Sequence, residues 1–265
     1  MSLLAKRIGL IGHGAIGKAL ATRLAADPDA PQVIAILVRP GRSDGADAPL
    51  VDNVAALLNA RPDLVVECAG QQAAAQFGPA ILAAGIDLAV ASVGALADPA
   101  TERSLRQAAE AGGSRILVPA GAVAAIDGLA AARLAGLDSV TYTSRKPPLA
   151  WRDTAAESLV DLDALTEEAV LYEGTAREAS QMFPKNANVA TTVALAGIGF
   201  EATRCRIVAD PHATGNRHEV DAAGAFGTLA LRLENLPSPD NPKTSFLTVL
   251  SLERLVRNSA AALVI

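Results

Sequence analysis

The sequence predicts an α/β chain of two domains: a parallel-sheet domain first, then an α+β domain with a mixed or antiparallel sheet. Three observations predict it. Short β-rich runs alternate with Ala- and Leu-rich helical stretches over the first 120 residues. A glycine-rich turn joins the first strand to the first helix. After Gly121 the alternation breaks, and strand-like runs follow one another with fewer helices between them.

The first domain reads in order as strands at Arg7–Ile11, Gln32–Val38, Leu64–Glu67, Asp87–Ala91 and Arg115–Val118, with helices at Ala15–Ala26, Val54–Ala60, Ala73–Ala84 and Pro99–Ala111. Strand, helix, strand at this spacing predicts βαβ units with right-handed crossovers, hence a parallel sheet. Gly85 and Gly112 follow two of these helices, where a left-handed cap favours glycine. The loop from Arg39 to Pro49 is rich in Gly, Pro, Ser and Asp and reads as mobile. In the second domain, strands are expected at Ser139–Ser144, Thr203–Ala209, Glu219–Ala223 and Gly227–Leu233, the last two as a hairpin with Gly224 in the turn. Helices are expected at Asp127–Ala135 and Val189–Ile198. A final amphipathic helix, Thr244–Ala262, is expected to pack back on the first domain. The domains are therefore 1–120 completed by 244–265, and 121–243.

Composition narrows the function. The 265 residues are 51% hydrophobic and 3% aromatic, which suits close-packed helices on a parallel sheet. A net charge of −5 with both signs scattered offers no basic patch, so nucleic acid and anionic membranes are not expected partners. Two distant cysteines, Cys68 and Cys205, form no CxxC pair and suggest the cytoplasm. The N-terminal apolar run is broken by glycines and reads as a turn rather than a signal peptide. The apolar stretch from Asn186 to Phe200 is too short to span a bilayer. No Cys/His cluster with metal-ligand spacing occurs, and no metal is expected.

The glycine turn carries the strongest signal. Gly12, Gly14 and Gly17 form G-x-G-x-x-G between the predicted first strand and first helix. In that context the first glycine makes the turn, the second lets a pyrophosphate approach the backbone, and the third lets helix and strand pack closely. The helix opening at Ala15 and Ile16 presents N–H groups to phosphate. This predicts a Rossmann-type domain that binds NAD or NADP; the bland alternative is a turn that binds nothing. NAD-preferring folds carry an acid at the end of the second strand. Here Arg39 stands there with Arg42 nearby, either holding a 2′-phosphate or simply solvated. Ala69 and Gly70, after the strand Leu64–Glu67, are expected to leave room for the ribose and nicotinamide. Cys68 reads as a small packed residue rather than a nucleophile, and His13 as exposed or cofactor-adjacent.

Further segments complete a pattern: Pro119-Ala120-Gly121-Ala122, Lys146-Pro147-Pro148, Pro184-Lys185-Asn186-Ala187-Asn188-Val189, Asp210-Pro211 through Arg217-His218-Glu219, and Asn241-Pro242-Lys243-Thr244-Ser245. Behind the Rossmann start, this set resembles the L-aspartate dehydrogenase family over nearly the whole chain. The resemblance implies oxidative deamination of L-aspartate with NAD or NADP, giving oxaloacetate and ammonia through iminoaspartate. It implies His218 as the catalytic residue and nicotinamide contacts at Ala122 and Asn188. In some organisms such enzymes supply iminoaspartate for NAD synthesis.

The residues themselves are consistent with this chemistry. Forming an imine requires the amine to lose a proton, and hydrolysing it requires an activated water; one group titrating near neutrality can serve both steps. With His13 in the phosphate loop, His212 and His218 remain. His218 is favoured because it opens a strand, whereas His212 lies in a looser loop; the alternative is a histidine merely hydrogen-bonded at a strand start. Two substrate carboxylates need cations or N–H donors. Lys185, before the helix near Asn188, and Lys243 and Thr244, before the last helix, are the candidates, although Thr244 would also serve as a plain N-cap. Lys146, before Pro147-Pro148, reads as a solvated loop residue. A homodimer is expected by fold analogy. Competing readings are another dehydrogenase or reductase on the same scaffold, and a non-catalytic dinucleotide sensor.

Overall fold

In a computed structural model of the chain, which describes residues 6–42, 45–184, 188–238 and 241–265, the alternating runs of the N-terminal half build one parallel sheet. Its elements are β1 (Arg7–Ile11), α1 (Ala15–Ala25), β2 (Gln32–Leu37), β3 (Leu50–Val51), α2 (Val54–Asn59), β4 (Leu64–Glu67), α3 (Gln71–Ala83), β5 (Asp87–Val90), α4 (Pro99–Gly112) and β6 (Ile116–Leu117). The strand order is β3-β2-β1-β4-β5-β6, every pair parallel. The chain reverses direction across the sheet between β1 and β4, the position where open α/β sheets bind ligands. The residues of β4 are all buried, as expected of a strand covered on both faces. Asp98 accepts from Thr101 N–H to start α4, with Pro99 in its first turn. The left-handed cap of α4 is Gly113, not Gly112; a Cβ on Gly112 would lie 1.9 Å from the carbonyl oxygen of Leu82, so Gly112 is held by packing instead.

The second half forms α5 (Ile126–Ala132), β7 (Leu137–Lys146), β8 (Ala169–Thr175), α6 (Ala176–Met182), α7 (Asn188–Ala196), β9 (Arg204–Ala209), β10 (Asn216–Gly224), β11 (Gly227–Asn235), β12 (Pro237–Ser238), β13 (Asn241–Ser245) and α8 (Phe246–Ala260). Its main sheet is mixed, in the order β11-β10-β7-β9-β8, with β7 and β9 parallel and the other pairs antiparallel. The hairpin turn lies at Ala225 and Phe226, between the paired Gly224 and Gly227. β8 and α6 were not expected from the sequence. The last helix begins at Phe246, two residues later than expected, because residues 241–245 pair with β12 as a strand.

Two compact units result: the chain up to Pro119 together with Val249–Ile265, and Ala120–Thr248. In the first, Leu252 and Val256 of α8 join Ile8, Leu10, Leu20, Ile36 and Leu64 in one core. Glu253 accepts from Arg23 and Arg257, and Arg257 also pairs with Asp27. Among the described residues no helix is long and apolar enough to cross a membrane.

Candidate active site

In the first unit, the end of β1 and the start of α1 form a phosphate cradle. Gly12 adopts φ +94, and a Cβ there would lie 2.8 Å from Ala69 Cβ. A Cβ on Gly17 would lie 2.3 Å from the Gly12 carbonyl oxygen, so only glycine lets α1 sit this close to the turn. Gly14 faces the opposite situation: a Cβ would meet nothing within 4 Å, leaving open space beside the backbone. No side chain caps the N-terminus of α1 and no acid stands in its first turn. Its N–H groups, Ala15 and Ile16 included, and its positive dipole end are thus left for an anion.

A cleft of about 810 Å³ adjoins this cradle. Gly12, His13, Gly14, Arg39, Arg42, Asp52, Cys68 and Ala69 are among its walls. A dinucleotide fits these features: glycine backbone for pyrophosphate, and an extended cleft running past the ends of β2 and β4. Arg39 is exposed along the cleft, while Arg42 donates to the His13 carbonyl at 3.0 Å and so braces the turn. Asp52, one residue past β3, is an acid in the cleft that the sequence pattern did not reveal. His13 lines the cleft but is buried rather than exposed. Burial and the nearby Glu67 charge push the Cys68 thiol far above its ordinary range, which argues against a nucleophile.

In the second unit one sheet face carries Tyr142, Ser144, Lys146 and His218. Alternation along β7 puts Val140, Tyr142, Ser144 and Lys146 on that face. The antiparallel register sets His218 of β10 opposite Ser144, and Val220 opposite Tyr142. His218 is 2% exposed. Its Nδ1 lies 2.8 Å from the Tyr142 hydroxyl, and the two rings stack with centroids 6.0 Å apart. His212, by contrast, is exposed in the loop after β9, its N–H bonded to Asp210 at 2.8 Å.

Burial, and then the positive charge of Lys146, hold the His218 imidazole down to about 3, so it is neutral across the physiological range. Burial raises the Tyr142 phenol above its ordinary value, so it stays protonated. Lys146 is not a solvated loop residue. It ends β7, buried, with its ammonium 5.0 Å from the centroid of the fully buried Trp151. Burial lowers it to about 8. Ser144 Oγ is buried with no hydrogen-bond partner among the described residues.

The remaining candidates divide. Ala122 is buried and its carbonyl accepts from Asn235 Nδ2 at 2.7 Å. Asn235, at the end of β11, thereby holds the Ala122 carbonyl; no sequence pattern pointed to it. Asn188 opens α7, and its carbonyl accepts from Thr192 Oγ1. Lys185 lies outside the described residues. Lys243 and Thr244 run in β13, so neither stands at the N-terminus of α8.

Residues 12–119 match a family described as "Homoserine dehydrogenase, NAD binding domain", and residues 127–259 match "Aspartate dehydrogenase, C-terminal". The chain is 48% identical to the L-aspartate dehydrogenase of Ruegeria pomeroyi, over 97% of this chain and 94% of that one. It is 46% identical to the L-aspartate dehydrogenase of Cupriavidus necator, over 96% and 98%. Among solved structures, the aspartate dehydrogenase of Thermotoga maritima superposes with a TM-score of 0.79 at 26% identity, covering 98% of this chain and 99% of the other. With an NAD-binding first unit and a second unit of this one family, the chain belongs to the L-aspartate dehydrogenases.

Proposed function

We propose that the protein catalyses the NAD(P)-dependent oxidative deamination of L-aspartate to oxaloacetate and ammonia, and its reverse. The observation that carries the reading is His218, a neutral, buried imidazole oriented by Tyr142, in a chain whose relatives are L-aspartate dehydrogenases. When bound, the nicotinamide supplies the acceptor for the hydride that leaves Cα. Everything else falls to the chain. Gly12, Gly14, Ala15, Ile16 and Gly17 form the pyrophosphate turn, and Ala69, Gly70, Ala122 and Asn188 are the proposed contacts of the ribose and nicotinamide. Arg39 receives a 2′-phosphate where the cofactor is NADP.

His218 is the acid and base. For its Nε2 to take a proton from the substrate ammonium, Nδ1 must carry the hydrogen and donate it to the Tyr142 oxygen. Once that proton has passed to solvent, the same Nε2 accepts a proton from the water that attacks iminoaspartate and returns it to the departing ammonia. A substrate carboxylate arriving nearby favours the imidazolium and raises the affinity of His218 for that proton. Lys185, Lys243 and Thr244 are the proposed carboxylate partners. The protein works in the cytoplasm as a homodimer. Its two cysteines are both free, and the edge strand β11 offers a surface for pairing.

The test is absorbance at the reduced-nicotinamide band with L-aspartate and either cofactor, for wild type and His218→Ala. Reduction with L-aspartate and a loss of about 100-fold or more in the variant are expected. Cofactor binding without reduction would refute the activity. Light scattering that reports a monomer would refute the dimer.

A further inference from the structure

Glu67, the last residue of β4, is fully buried, yet none of the chemistry above uses it. Its carboxylate collects donors from two separate loops. Oε1 accepts from the N–H groups of Ala69 at 2.6 Å and Gly70 at 2.7 Å, and from Ser92 Oγ at 3.1 Å. Oε2 accepts from Ser92 N–H at 3.0 Å. Ala69 and Gly70 follow β4, and Ser92 follows β5, so one side chain ties together the loops at the carboxyl ends of two neighbouring strands. Ala69 is also the residue against which Gly12 packs, and it forms a wall of the cleft. The Cys68 N–H donates to the Ile11 carbonyl at 2.8 Å, joining the same loop to the start of the glycine turn. Gly70 holds φ +125, a conformation open to glycine and closed to residues with a Cβ.

A carboxylate suits this place because it only accepts, and all four groups aimed at it donate. Burial raises the affinity of Glu67 for a proton, and the four donors oppose that rise. We propose that Glu67 is a positioning residue for the dinucleotide: it fixes the Ala69–Gly70 and Ser92 loops in the shape the cofactor binds, without forming a wall of the cleft itself. The proposal rests on the cofactor reading above.

The experiment uses the full chain with Glu67→Gln and Ser92→Ala. A glutamine keeps the size, but its –NH₂ end faces a donor and loses that bond. Affinity for NADH is read by fluorescence titration, steady-state constants are read for each substrate, and thermal unfolding is followed alongside. For Glu67→Gln, the Kd for NADH and the KM for NAD are expected to rise about tenfold, the equivalent of one or two lost hydrogen bonds. The KM for L-aspartate should change less than about twofold by the same reasoning. Ser92→Ala, which removes a single donor, should raise the Kd about two- to threefold. A folded Glu67→Gln with a lowered melting temperature and an unchanged Kd would overturn the proposal. Should Glu67→Gln fail to fold, an unchanged Kd in Ser92→Ala would overturn it equally. Failure of the parent reading looks different: wild type would then bind no NADH or turn over no L-aspartate.

Discussion

The two units handle charge in opposite ways. The first prepares its cleft with backbone: three glycines, a bare helix N-terminus and loops held by a buried carboxylate. Its cationic side chains stand at the margins, with Arg39 exposed and Arg42 bracing the turn. The second unit does the reverse. It buries ionisable side chains, His218 and Lys146, on a sheet face shared with Val140, Tyr142, Ser144, Cys205, Ile207 and Val220. Backbone donors keep one charge state at every pH, so the first unit is suited to holding a pyrophosphate, whose charge stays the same whether the nicotinamide is oxidised or reduced. Buried side chains have protonation states set by their surroundings, which is what a proton-transfer step needs.

That contrast can be broken by substitution. The largest effect is expected from Gly17→Val. A Cβ 2.3 Å from the Gly12 carbonyl cannot be absorbed by a side-chain rotation. Cofactor binding should vanish by NADH titration at every pH, with a lower melting temperature. Retained affinity would mean that α1 does not need its close approach. Tyr142→Phe should come next. It removes the partner of Nδ1, releasing the tautomer, and should lower kcat about tenfold while leaving the Kd for NADH unchanged. A shift in Kd instead would show that the two regions are not separable.

The pH dependence sharpens the comparison. With His218 held down to about 3, the acid limb of kcat/KM should lie well below the ordinary histidine value of 6.5, and the limb of kcat should lie higher because bound substrate adds negative charge. Lys146→Met should move the first limb upward, since Lys146 repels the proton. The same shift governs stability. Between pH 6.5 and 3 the unfolded chain binds a proton at this position that the folded chain does not. The contribution of His218 is therefore complete above 6.5 and is lost as pH falls towards 3, with a slope of about 1.4 kcal/mol per pH unit. Urea unfolding of His218→Gln, which cannot titrate, should show a shallower loss on acidification. The smallest effect is expected at Arg39: Arg39→Ala should weaken NADP about five- to tenfold as an exposed phosphate contact and leave NAD within twofold. Equal losses for both cofactors would assign Arg39 to the cleft wall instead.

How far the sequence revealed these parts depends on whether they are contiguous. Gly12 to Gly17 could be read directly, because the turn, the phosphate approach and the helix packing are all set within six residues. β1 and β4 were legible to the residue, since strands buried on both faces leave unbroken apolar runs. Tyr142 and His218 are 76 residues apart, and only the register of β7 against β10 brings them together. Lys146 was misread because the two prolines after it suggested a loop. The alternation Tyr142, Ser144, Lys146 would have placed it on the strand. β8 was missed because Ala169–Thr175 mixes Glu173 and Gly174 into its alternation; the Thr175–Glu178 capping box at the start of α6 was a signal that went unread. Glu67 and Asn235 act mainly on backbone groups, with Ser92 Oγ the one side-chain partner, so no side-chain pattern announces them.

The placement of α8 has a consequence for how the molecule is made. Leu252 and Val256 complete a core whose other buried members all precede residue 92, and the entire second unit is synthesised between them. On the ribosome, the mixed sheet can finish folding while β1 and α1 still await their last apolar partners. The nascent first unit therefore spends most of translation with an open flank, and contacts this distant in sequence are slow to close.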